Sequence, residues 1–164
     1  MSGPHGRLRA VGLRDEVVLS CFLRDDTPDG VLAALRWHLG LDADRPAGPD
    51  PEEHAYAVLR PDPDSRLPGG DVASLRRRSR GFTAEGERHA WGLFSRNLRL
   101  DDMVGDLLAL LDLIAPHVDG PGHGGHVREE FAAVPAAVVF GDGTCRPPAF
   151  RVGADAAPVA GVTS

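Results

Sequence analysis

Adjacent carboxylates, a cluster of histidines, two cysteines and a run of arginines are the features of this chain whose types and spacing could do chemistry. Asp25-Asp26 and Asp101-Asp102 resemble carboxylate pairs that share a proton in acid–base work. Each pair stands where a helix is expected to begin, and there aspartate satisfies free N–H groups and the positive end of the helix dipole. Asp102 and Asp106 share a helical face as ordinary exposed charges. Glu129 and Glu130 are neighbours in an expected strand, so they point to opposite faces and cannot share a proton.

The tightest group of histidines is His117, His123 and His126, strung through a glycine-rich stretch. A metal site wants ligands on fixed backbone with supporting partners, and glycines supply the opposite. No His-Glu-x-x-His or Cys-x-x-Cys is present, and no Gly-x-Ser-x-Gly marks a nucleophile. The expectation is no metal, no cofactor and no assignable catalytic residue, and whether the chain is an enzyme stays open. His38, near the end of the first expected helix, reads as a surface or dipole-facing residue. Cys21, inside an apolar strand pattern, reads as a buried and inert thiol. Gly120-Pro121-Gly122 and Gly141-Asp142-Gly143 are turn chemistry, without the strand-then-helix setting of a phosphate loop.

The run Arg76-Arg77-Arg78-Ser79-Arg80 offers an anion or an acidic partner a foothold, but reads as a solvated loop. All 18 basic residues are arginine, and with abundant Ala, Gly, Pro and Asp this fits a GC-rich genome. An arginine cluster is then weaker evidence for bidentate anion recognition. The formal net charge of −6 argues against a general nucleic-acid binder, which needs a basic face to release phosphate counterions. No basic-then-apolar leader and no long apolar run occur, so the expectation is a cytoplasmic bacterial protein without membrane contact.

The elements that must position these residues follow from periodicity. A strand–helix phrase occurs twice: Cys21-Phe22-Leu23-Arg24-Asp25-Asp26 into Val31–Leu35, and Asn97-Leu98-Arg99-Leu100-Asp101-Asp102 into Leu107–Leu111. Residues 15–24 alternate as a strand, with Val17, Leu19, Cys21 and Leu23 on one face. Thr27 as N-cap and Pro28 at the first helical position open a helix to about Leu39, with Gly40 closing it and Val31, Leu32, Leu35 and Leu39 as its stripe. Residues 41–53 and 61–86 read as loops, with a short strand between them from His54 to Arg60. A longer strand covers 88–98. The second helix starts at Asp101 or Asp102 and ends before Pro116, burying Val104, Leu107, Leu108, Leu111 and Ile114. A flexible turn at 119–125, a strand at His126–Phe131 and a short strand at Ala136–Phe140 complete a single domain over 13–152. Residues 1–12 and 153–164 read as flexible ends.

Two strand–helix–strand units predict an α+β protein, a two-layer ferredoxin-like sandwich of βαββαβ order with an antiparallel sheet, both helices on one face, and a short extra strand and long loops. The helices then leave one sheet face open. Val18, Ser20, Phe22 and Arg24 belong to it, joined from the other strands by Phe94, Arg96 and Arg128. Strand 88–98 has no clearly polar face, and the alternative pair is Trp91 and Leu93. Aromatics beside arginine on such a face mark an interface or a ligand site. The leading expectation is a non-enzymatic domain that works through protein contacts and forms a homodimer over this face. The alternative is a dimeric α+β-barrel that encloses a small molecule there, as binder or enzyme. Nucleic-acid binding through the arginine run ranks last.

Overall fold

The structure is a computed structural model that describes residues 14–100 and 103–146. The expected flexible ends and the Asp101-Asp102 helix start lie outside the described residues. In chain order the elements are β1 (Arg14–Arg24), α1 (Asp29–His38), β2 (Val72–Thr83), β3 (Gly86–Leu100), α2 (Val104–Ile114) with a 3-10 turn at Ala115–His117, β4 (Gly122–Glu129), β5 (Ala136–Gly141) and β6 (Thr144–Arg146). The chain is α+β, with one six-stranded sheet in the order β2-β3-β1-β4-β5-β6 and every pairing antiparallel. No helix among the described residues is long and apolar enough to cross a membrane.

β1 pairs with β3 along its whole length, from Arg14 opposite Leu100 to Arg24 opposite Ala90. Alternation on β1 decides the layers. Val17, Leu19 and Leu23 join Leu35 and Leu39 beside α1, and Leu107, Leu110, Leu111 and Ile114 of α2, in one buried cluster. Both helices therefore cover the same sheet face. Each fully buried leucine or isoleucine contributes roughly 1.5–3 kcal/mol before chain entropy opposes it.

The second strand is not where periodicity put it. Residues 54–60 form no strand, because their backbone groups bond elsewhere. Leu59 N–H donates to the His38 carbonyl at 2.9 Å, Val58 N–H donates to His38 Nδ1 at 3.2 Å, and Asn97 Nδ2 donates to the Leu59 carbonyl at 3.1 Å. Val58 and Leu59 are thereby inserted into the core as a plug at the end of α1. The second strand is β2, inside the stretch that read as loop. It is an edge strand on which only Leu75 is buried, so it shows no apolar alternation.

Smaller departures have equally local causes. Thr27 does not cap α1: its Oγ1 donates to the Arg24 carbonyl at 2.6 Å, closing the turn before the helix, and Pro28 stands at the N-cap. Gly40 does take the left-handed conformation, at φ +69°. On α1, Ala34, Leu35, Trp37 and His38 are buried, whereas Val31 and Leu32 are only partly covered. On α2 the buried stripe is Leu107, Leu110, Leu111 and Ile114, so Leu110 takes the place expected for Leu108, and Val104 is only partly covered. The glycine-rich turn is largely β4. Gly125 lies opposite Leu19 at φ +138°, where a Cβ would run into the Val18 carbonyl, so this glycine serves close strand approach.

Candidate functional site

Residues directly opposite one another in a sheet share a face, so the register assembles the open face strand by strand. β1 contributes Glu16, Val18, Ser20, Phe22 and Arg24. Opposite them on β3 stand Leu98, Arg96, Phe94, Gly92 and Ala90. β2 adds Val72, Ser74, Arg76 and Arg78, and β4 adds Arg128 and His126. The structure thus brings Val18, Ser20, Phe22, Phe94, Arg96 and Arg128 onto one face. It chooses Phe94 and Arg96 over Trp91 and Leu93, the latter pair facing the helices. Arg24 sits at one end, where it bonds Asp26 at 3.1 Å and the Pro116 carbonyl at 3.0 Å.

Charge on this face is unevenly spent. Glu16 accepts from Arg128 at 2.7 Å and from Arg96 at 3.3 Å, bridging three strands. Burial raises the Glu16 carboxyl, but the two guanidiniums outweigh that and hold it below its ordinary value. One carboxylate thus answers two cations. Arg80 lies over the Phe22 ring at 3.7 Å, a cation–π contact. Arg76 and Arg78 are exposed and have no hydrogen-bond or ion-pair partner among the described residues. Their neighbour Arg77, pointing the other way, is paired with Asp25 at 2.7 Å. A groove of about 230 Å³ runs between β1, β3 and β2, lined by Ser20, Phe22, Ser74, Arg76, Arg78 and Phe94. Gly92 forms part of its floor, where an added Cβ would stand 3.3 Å from the Phe22 ring, in tight contact with it. Phe94 is 41% exposed.

The missed members of this face are Arg76, Arg78 and Arg80. Their signal was the two-residue period Val72-x-Ser74-x-Arg76-x-Arg78-x-Arg80 beside Ala73 and Leu75, which an apolar-pattern search passes over.

A second, wider cleft of about 590 Å³ lies on the helical side, between Glu52, Glu53 and His54 and the α2 residues Asp106 and Asp112. It is acidic where the sheet face is basic. His54 of its lining belongs to a buried histidine pair with His38. His38 is 0% exposed, against the expected surface position. Its Nδ1 accepts from Val58 N–H, so the proton of the neutral ring sits on Nε2, which donates to His54 Nδ1 at 3.1 Å. Burial, with the nearby His54 and Arg45, depresses the His38 pKa to about 4. His117, His123 and His126 are not assembled as ligands, for no group of three His, Cys, Asp or Glu side chains among the described residues is placed to hold a metal. Burial also pushes the Cys21 thiol up to about 12, which leaves it a poor nucleophile.

No family model matches the chain, and neither a curated protein nor a solved structure matches it.

Proposed function

We propose that the chain is a binding domain that works through contacts on the open face of its sheet, and that its partner there is acidic. One observation carries this reading: Arg76 and Arg78 stand exposed and unpartnered beside the open groove and Phe94. Exposed guanidiniums on a rigid sheet are preorganised donors for carboxylate or phosphate. The order β2-β3-β1-β4, with α1 and α2 as crossovers, supports a ferredoxin-like βαββαβ reading of the first four strands, extended at the β4 edge by β5 and β6. Two free cysteines support a reducing, cytoplasmic setting.

The test is retention on immobilised poly-glutamate in low salt, comparing wild type with the R76E/R78E variant. Both side chains are exposed, so the fold tolerates the change. Wild type is retained and the variant elutes early; equal retention of the two overturns the reading.

A second reading keeps the same face but covers it with a second copy, as a homodimer that could enclose the groove around a small ligand. The exposure of Phe94 and the partial exposure of Val18 and Phe22 favour it. Against it, a two-fold contact lays one row of arginines on another.

A further inference from the structure

We propose that the open sheet face binds single-stranded nucleic acid, with phosphates along β2 and a base stacked on Phe94. This rests on the acidic-partner reading above and names the class of partner.

The expectation against nucleic acid came from net charge alone. The structure distributes that charge by side. Arg76 and Arg78 occupy alternate paired positions of β2, with Cα atoms about 6.7 Å apart along the same face, and Arg80, at the irregularity between Ser79 and Phe82, reaches that face over Phe22. That is a row of cations of the kind an extended phosphodiester backbone tracks. The acidic residues Glu52, Glu53, Asp106 and Asp112 line a cleft on the opposite, helical side. At physiological salt, charges beyond roughly 8 Å are largely screened, so a ligand on the sheet meets the arginines and not the average.

Charge by itself would serve an acidic peptide equally well. Phe94 separates the two. It lies on β3 between Ser20 of β1 and Ser74 of β2, two short side chains, and is 41% exposed. Every base offers a flat π face, whereas glutamate and aspartate offer none. The neighbouring aromatic, Phe22, already carries the Arg80 guanidinium 3.7 Å from its ring centroid, so this face holds a π surface beside its cations. Duplex is disfavoured by the same geometry. A groove of about 230 Å³ on the sheet reaches a base face only when that base is unstacked and splayed out.

The experiment is fluorescence anisotropy of a labelled single-stranded oligonucleotide of about twelve nucleotides, titrated with the full chain over a range of salt. Unlabelled duplex, a mononucleotide and poly-glutamate serve as competitors. The expected result is binding whose log–log salt slope is near −2, from about −0.7 for each of three neutralised phosphates. Phe94→Ala should weaken it by about fivefold to a hundredfold, the range for one lost base stack, with the salt slope unchanged. Arg78→Gln should bring the slope about 0.7 closer to zero. Binding of poly-glutamate without the oligonucleotide overturns the nucleic-acid assignment and leaves the acidic-partner reading standing. A mononucleotide or duplex competing as well as the single strand, or a Phe94→Ala variant that binds normally, also overturns it. Binding of none of the polyanions removes both.

Discussion

His38 shows how much one buried side chain can organise. Its ring and carbonyl hold the Val58 and Leu59 N–H groups, so one residue, with Asn97 on the Leu59 carbonyl, secures the plug that closes one end of the core. This works only for the neutral ring, because a proton on Nδ1 would face the Val58 N–H. The folded ring titrates near 4 instead of its ordinary 6.5. Stability from this group is therefore complete above pH 6.5. It declines as pH falls from 6.5 towards 4, where the unfolded ring takes a proton that the folded one refuses, for a total loss of about 3 kcal/mol. Carboxylates held low in the fold, such as Glu16 and Asp71, also weaken it in acid, so the informative measurement is a difference. Urea midpoints of wild type and His38→Asn should converge as pH drops through that window; a constant gap would mean that His38 does not titrate there. Gly125 makes a comparable point about backbone. Adding one methyl at φ +138° against the Val18 carbonyl should cost about 3 kcal/mol or more in Gly125→Ala, read in the same denaturation experiment.

At the scale of elements, legibility tracked burial. β1 was readable because one of its faces is core and the other is not, so parity alone placed Val18, Ser20, Phe22 and Arg24 together. β3 was readable as a strand but not by face, since Ser95 and Asn97 are fully buried polar residues on the helix side and Phe94 is an apolar one on the open side. β2 was illegible for a physical reason: it leaves the core after Leu75 and runs out with β3 as a hairpin arm whose tip, including Phe82 at 83% exposure, packs on nothing buried. An element that buries no face prints no apolar period. The strap at 54–60 misled in the opposite sense, because its buried Val58 and Leu59 plug a core without pairing in a sheet. For α2 the periodicity held at Leu107, Leu111 and Ile114 and missed at Val104 and Leu108, which are only partly covered, while Leu110 is buried. Leu110→Ala should cost roughly 2–5 kcal/mol and Leu108→Ala distinctly less, since only the first leaves a cavity in the sealed cluster. Equal shifts in the urea midpoint would put the helix in the wrong rotational phase.

The whole molecule is two-sided, and that separates two modes of self-association. The sheet face carries Arg76, Arg78 and Arg80 with little to offset them, and the helical side carries the acidic cleft. A symmetric dimer through the sheet would set arginines against arginines. Added salt would relieve that repulsion, and the apolar contact of Val18, Phe22 and Phe94 would remain, so such a dimer should tighten as ionic strength rises. An electrostatic contact between the basic face of one copy and the acidic cleft of the next has the opposite sign. It is heterologous, need not close, and weakens as the screening length falls from about 30 Å at 0.01 M salt to about 8 Å at physiological strength. With Arg76, Arg78, Arg80, Arg96 and Arg128 on the sheet and the Glu16 carboxylate alone among them, the charge term should govern. Light scattering should therefore show attraction between molecules at low salt that fades by physiological strength, and R76E/R78E should abolish it. Phe22→Glu should change it only modestly, because Phe22 already lies beneath Arg80. A mass that rises with salt, and that Phe22→Glu returns to the monomer, would instead establish the symmetric apolar dimer and reassign the groove to its interior.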